Sequence, residues 1–189
     1  RRKERFAAFS GGQLALARLS GRDAEAFLTS DSRALKVLKS SERFELPESV
    51  LTRYPWQFIE RNPEAIEDQV KSLPRGEVPD LRGCSVLGSR SNLLFEGGVE
   101  VEPYVTFDVR RGSIYIGEDV EIQSFTRIEG PAYIGRRVQI RSALVRGGTT
   151  VGDYCKVGGE VDCSILSRYS NKAHEGFLGH SYVGEWVNI

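Results

Sequence analysis

Methionine is absent from all 189 residues, position 1 included, which sets the expectation that the chain is a segment of a longer parent. An excess of charge of either sign is absent too. Lys and Arg number 26 against 26 Asp and Glu, so no bulk field favours nucleic acid or an anionic membrane, and any anion binding must be local. No apolar run approaches the roughly 18 residues that a membrane-spanning helix needs. The basic start Arg1-Arg2-Lys3-Glu4-Arg5 is not followed by the apolar core of a signal peptide. A cytoplasmic protein with no nucleic-acid or membrane partner is expected. Cysteine is scarce: Cys84, Cys155 and Cys163 are odd in number and lack C-x-x-C spacing, which argues against a disulfide framework and against a thiolate zinc site. Reduced, partly buried thiols and no metal are the expectation.

What is present changes character along the chain. Phe6–Phe9 and Gln13–Arg18 read as a strand pair around the turn signal Ser10-Gly11-Gly12, since glycine tolerates both central positions of a tight hairpin. Ala34, Leu35 and Leu38 have helical spacing, with Asp31 or Ser32 as cap. Residues 54–73 read as helix in two pieces. Asn62-Pro63-Glu64 offers an N-cap, a proline at the first helical position and an acid in the first turn, and Ile66, Val70 and Leu73 form one stripe. Pro74, Gly76 and Pro79 then stop the helix, placing a boundary near residue 80.

Beyond that boundary aliphatic residues recur every six positions: Ile116, Ile122, Ile128, Ile134 and Ile140. After a slip of one, Val145, Val151 and Val157 continue the period, and Phe177, Val183 and Ile189 resume it after a break. A helix would scatter these side chains around its axis, and a plain strand alternates every second residue. Glycine follows the aliphatic at Gly117, Gly135, Gly152, Gly158 and Gly184, where a turning backbone would use its tolerance of positive φ. A hexapeptide period marks β-helix solenoids, whose coils stack and bury a continuous aliphatic column. Val120, Ala132, Val138 and Leu144, four residues after a corner, are expected to point inward as well. The fold class is therefore mainly β, a parallel β-helix preceded by a small α/β region and linker helices.

The break in the period falls at Ser170-Asn171-Lys172-Ala173-His174-Glu175-Gly176-Phe177-Leu178-Gly179, and the chain closes on Gly184-Glu185-Trp186-Val187-Asn188-Ile189. A loop that interrupts a rigid scaffold is where function concentrates. His174, Phe177, Leu178, Gly179, Gly184, Val187, Asn188 and Ile189 stand at the spacings of one family. The stretch resembles the acetyltransferase domain of the bifunctional UDP-N-acetylglucosamine pyrophosphorylase/glucosamine-1-phosphate acetyltransferases and their sugar nucleotidyltransferase-like relatives. The resemblance covers residues 113–189, includes Lys156-Val157-Gly158-Gly159-Glu160-Val161, and is weaker over the linker Tyr54–Val70.

The resemblance implies a left-handed coil, with three hexads to each triangular turn. It divides the chain into the tail of an upstream nucleotidyltransferase-like region (1–53), a helical linker (54–80) and an acyltransferase-like β-helix (81–189) cut short at its C-terminal end. It implies acetyl-CoA as acyl donor, an amino-sugar 1-phosphate as acceptor, His174 as catalytic base and Asn188 at the transfer centre. Association as a homotrimer, with acetyl-CoA sites between neighbours, follows from the same likeness. An amino sugar at neutral pH is largely an ammonium ion and must lose a proton to attack a thioester, for which an imidazole is suited. Lys156, Arg168 and Lys172 are the nearest cations for the phosphate, and Phe177 is a further substrate-binding candidate. Phe177 stands where the acetyltransferases carry a tyrosine, so one hydroxyl is missing. No glycine-rich nucleotide loop occurs in residues 1–80. The alternative is a sugar-1-phosphate nucleotidyltransferase whose β-helix is an assembly or regulatory module.

Overall fold

Residues 6–29, 33–47 and 51–189 are described by the structure, a computed structural model. The chain divides into two units, residues 1–53 and 54–189. In the first, β1 (Phe6–Ser10) and β2 (Gln13–Arg18) form the antiparallel hairpin that the double glycine predicts, with Gly11 and Gly12 at φ of 54° and 76°. Helix α1 (Gly21–Leu28) has no counterpart in the sequence pattern, whereas α2 (Arg33–Lys39) covers the expected helical stretch. Its expected caps, Asp31 and Ser32, lie outside the described residues. Strand β3 (Glu42–Leu46) pairs in parallel with β1; its charged, mostly exposed sequence gives no strand signal.

The second unit opens with α3 (Trp56–Val70), one continuous helix rather than two pieces. Asn62 is not a cap. It is buried, its Nδ2 donates to the Gly148 carbonyl at 2.7 Å, and its Oδ1 accepts from the Thr150 hydroxyl at 2.9 Å. Pro63 lies inside the helix, at an ordinary cost of about 3 kcal/mol. Burial of Ile59, Ile66 and Val70, worth roughly 1.5–3 kcal/mol each, exceeds that cost. Ile66 and Val70 pack on Leu94 and Tyr115, and the Glu67 carboxylate accepts from the Ser113 amide and hydroxyl. The helix is therefore fixed along one face of the strands that make up the rest of the unit.

Those strands form a parallel β-solenoid. Its first turn is β4 (Ser85–Leu87), β5 (Leu93–Phe95) and β6 (Glu100–Val101), and its second is β7 (Thr106–Asp108), β8 (Ile114–Ile116) and β9 (Glu121–Ile122). The third holds β10 (Arg127–Glu129), β11 (Ala132–Ile134) and the start of β12 (Gln139–Val145), which bends through a corner into the fourth turn and β13 (Thr149–Val151). Likewise β14 (Lys156–Asp162) runs into the fifth turn, followed by β15 (Ile165–Leu166) and β16 (Asn171–Lys172), and then by β17 (Phe177–Gly179) and β18 (Tyr182–Val183) of the last. The first face stacks β4, β7, β10, the ends of β12 and β14, and β17. Strands β5, β8, β11, β13, β15 and β18 form the second. The third runs from β6 through β9 and the starts of β12 and β14 to β16.

The hexad aliphatics from Ile116 to Val157 are all at most 1% exposed, and Val120, Ala132 and Val138 are buried with them. Leu144 departs from expectation. Strand β12 turns at Ser142, φ 44°, so Ala143 and Val145 face inward and Leu144 is left half-buried. Phe177 departs in the same way: it is exposed, and Leu178 packs on the core instead.

Apart from Gly184, which has open space around it, the glycines after the aliphatics have a different purpose from the one expected. Neither Gly135 nor Gly152 has positive φ; a Cβ on Gly152 would stand 2.6 Å from the Arg168 nitrogen, and one on Gly135 would stand 2.8 Å from that of Asp153. Coils stacked at the strand spacing of about 4.8 Å leave no room for a side chain there. The left-handed corners of one edge fall on Asp119, Arg137, Tyr154, Tyr169 and Trp186, with φ from 54° to 63°. Such residues carry roughly 1–2 kcal/mol of strain each, offset where rings stack, as Tyr154 does on Tyr169 at 5.1 Å and Tyr169 on Trp186 at 4.5 Å.

Candidate functional site

His174 lies in the loop between β16 and β17, where the chain passes from the third face to the first. Its side chain is exposed. The backbone around it is tightly held. Gly158 and Gly159, one turn earlier, approach so closely that a Cβ on Gly158 would meet the Ala173 oxygen at 2.6 Å. A Cβ on Gly159 would stand 2.7 Å from the Gly176 oxygen and 3.0 Å from that of His174. Gly159 also has φ of 68°, a conformation other residues adopt only under strain. The Glu160 amide donates to the Gly176 carbonyl at 2.9 Å, which closes the loop onto β14. The Gly158-Gly159 pair is thus the seat of the histidine loop.

Lys172 does not stand free for a phosphate, as its expected role requires. It is 4% exposed, and its ammonium donates to the Gly158 carbonyl at 2.9 Å and to the His174 carbonyl. Arg168 is exposed and paired with Glu185 at 2.7 Å, while Lys156 is exposed at the start of β14. Of the three expected cations, then, Lys172 is buried on backbone carbonyls, Arg168 is held by a carboxylate and Lys156 is exposed. Phe177 is exposed, and its ring lies over its own strand: a Cβ on Gly179 would touch the ring at 2.4 Å. The Leu178-Gly179 pair thus places one side chain in the core and makes room for the ring outside. His180 occupies a corner at φ 46°, its amide donating to the Asp162 carbonyl at 3.0 Å.

Asn188 comes in one turn above Asn171, forming a parallel bridge with it. The Asn171 amide donates to Val187, and that of Ile189 to the Asn171 carbonyl. The Asn188 side chain is exposed. It stands on the same face as the strand that leads into the His174 loop.

A second feature escaped the sequence pattern. Arg110, Arg111, Arg127 and Arg146, with Asp108 and Glu129, line a cleft of about 410 Å³ along the ends of the first-face strands. Asp108 is the organiser. It is nearly buried, takes two guanidinium bonds from Arg110 at 2.9 and 2.7 Å, and accepts from Arg127 as well. These bonds, the Arg110 pair first, hold its carboxyl well below the ordinary carboxylate range. Arg127 is also bound to Glu129, and Arg146 to Glu160. Among the described residues Arg111 has no carboxylate partner. Glu160 links the cleft to the histidine loop, since it holds Arg146 by its side chain and Gly176 by its amide. Arg110, Arg127 and Arg146 recur about one turn apart. Outward charges at that coil spacing were the signal available in the sequence.

No family model matches the chain. The chain is similar to curated proteins named bifunctional protein GlmU. In two strains of Acidithiobacillus ferrooxidans the identity is 28% over 183 residues, covering 93% of this chain and 39% of the relative. The GlmU protein of Rippkaea orientalis is 34% identical over 77 residues, 40% of this chain and 17% of the relative. The chain thus spans about two fifths of the length of the relatives that it matches over most of its own. This similarity and the parallel β-solenoid both agree with the resemblance that the His174 motif carries.

Proposed function

We propose that this segment is the acyl-transfer part of a sugar nucleotidyltransferase/acetyltransferase, moving the acetyl group of acetyl-CoA to the amine of an amino-sugar 1-phosphate. The observation that carries this reading is an exposed imidazole on a backbone fixed by the Gly158-Gly159 seat. A base must meet a moving proton at a fixed place, and orientation of this kind accounts for much of catalysis. His174 takes the proton from the substrate nitrogen as that nitrogen attacks the thioester carbonyl. The C–S bond then breaks, and the sulfur leaves as the thiol of CoA, taking up the proton that His174 had accepted. The Asn188 amide is assigned to the negative charge that develops on the carbonyl oxygen, and Phe177 to the apolar face of the sugar.

For the phosphate, the arginine cleft is the stronger candidate than Lys156, Arg168 or Lys172. Leu144, Glu160 and Phe177 are successive strand neighbours. Arg146, two residues after Leu144, is therefore about two strand spacings, roughly 10 Å, from β17. That separation is on the scale of a sugar phosphate. Arg146, at the end of the cleft nearer β17, is the group assigned to the phosphate, since planar guanidinium groups suit phosphate oxygens. Association as a trimer, which would bring a neighbour's coil beside the His174 loop, belongs to the same reading.

The test is release of free thiol from acetyl-CoA in the presence of glucosamine 1-phosphate, by the protein and by its His174→Ala variant. Release that depends on the sugar phosphate and falls in the variant supports the reading, while an unchanged rate removes His174 as base. Pyrophosphate exchange with a sugar 1-phosphate and a nucleoside triphosphate is the matching assay for nucleotidyl transfer.

A further inference from the structure

We propose that Lys172 is a positioning residue, an ammonium buried in the solenoid to hold the backbone of the histidine loop. On the third face Ile122 lies opposite Ile140, Ile140 opposite Val157, and Val157 opposite Lys172. Lysine therefore takes the place that aliphatic residues hold in the turns before it, and it is as buried as a core residue at 4% exposure. Among the described residues no carboxylate pairs with it. A buried cation without a counter-ion is costly, and an aliphatic residue of similar length would be easier to bury. Packing alone does not account for this residue.

Its hydrogen bonds do. The ammonium donates to the Gly158 carbonyl at 2.9 Å and to the carbonyl of His174 itself. One cation thus ties the seat of the loop to the residue seated on it. Gly158 and Gly159 let the loop come close; Lys172 keeps it there, because a charged donor holds a carbonyl more firmly than a neutral one. The interruption of the hexad period and the histidine two residues beyond it are two parts of one arrangement. Its consequence for catalysis rests on the acetyl-transfer reading, whereas its consequence for the loop does not.

Lys172→Met separates positioning from packing, because methionine refills the aliphatic position and removes both hydrogen bonds. The protein is expected to stay folded with a thermal midpoint equal to the parent's or higher. Backbone amide order parameters over Ala173–Gly176 should fall from about 0.85 to below about 0.6. Sugar-phosphate-dependent release of CoA should lose about a hundredfold in kcat with KM nearly unchanged, as expected when a reacting group is misplaced without loss of binding. Lys172→Gln, which keeps a shorter donor, should fall between the two in loop order, and it serves as the measurement if the methionine variant does not fold. A loop as ordered in these variants as in the parent overturns the proposal. So does a rate unchanged in an active protein. If the parent releases no CoA, the acetyl-transfer reading fails, and the order parameters alone still decide the role of Lys172.

Discussion

Replacing Gly159 with alanine tests how the histidine loop is seated. The added Cβ would stand 2.7 and 2.9 Å from the oxygen and nitrogen of Gly176 and 3.0 Å from the oxygen of His174. All three are backbone atoms, which cannot swing aside as a side-chain tip can. Overpacking of this kind costs about 1–3 kcal/mol. The φ of 68° adds roughly 1–2 kcal/mol for a residue bearing a Cβ. Alanine also restricts the unfolded chain, which offsets about 0.4–1 kcal/mol. The net expectation is a loss of roughly 1–5 kcal/mol, read in guanidinium denaturation as a lower midpoint at unchanged slope. Gly184→Ala is the control, because nothing lies within 4 Å of its added Cβ and its φ is not positive. It should be neutral or gain up to about 1 kcal/mol. Equal destabilisation by both variants, or a Gly159→Ala midpoint unchanged within about 0.5 kcal/mol, would refute the close-approach reasoning.

The contacts lead to three further outcomes. Asn62→Leu strips partners from the buried Gly148 carbonyl and the Thr150 hydroxyl and should cost about 2–4 kcal/mol, measured by denaturant unfolding. For Asp108 the folded carboxyl titrates below the ordinary value, so acid protonates the unfolded chain first. The stabilisation is complete above about pH 4 and lost as pH falls through the folded value. Unfolding free energies should drop on acidification below about pH 4, with a shallower drop in Asp108→Asn; identical pH dependence would contradict the assignment. Arg146→Ser should raise KM for the sugar phosphate about tenfold or more and, because its pair with Glu160 is partly exposed, should cost no more than about 1 kcal/mol of stability.

Much of the solenoid was legible because it needs a repeated inward side chain, and the unbroken aliphatic run from Ile116 to Ile140 can serve little else. A slip of one residue reverses a side chain without changing the sequence pattern. Leu144 and Phe177 both kept the period and both point outward, because short strands that bend at Ser142 and in the His174 loop change register. Asn62-Pro63-Glu64 has the local form of a helix start, yet the docking of α3 on the solenoid overrides it. Lys172 and the arginine cleft were hidden for a different reason. Their partners lie one turn away, at spacings that only the stacked coils bring together, and a buried lysine has the same letter as a solvated one. The His174 motif was visible because its residues are close in sequence.

The most direct test of the central claim is sugar-phosphate-dependent release of CoA from acetyl-CoA, measured with the protein and with His174→Ala. The expected result is a rate that depends on the sugar phosphate and falls by about 10²–10⁴ in the variant. A rate equal in the two proteins, or release of CoA indifferent to the sugar phosphate, would contradict it.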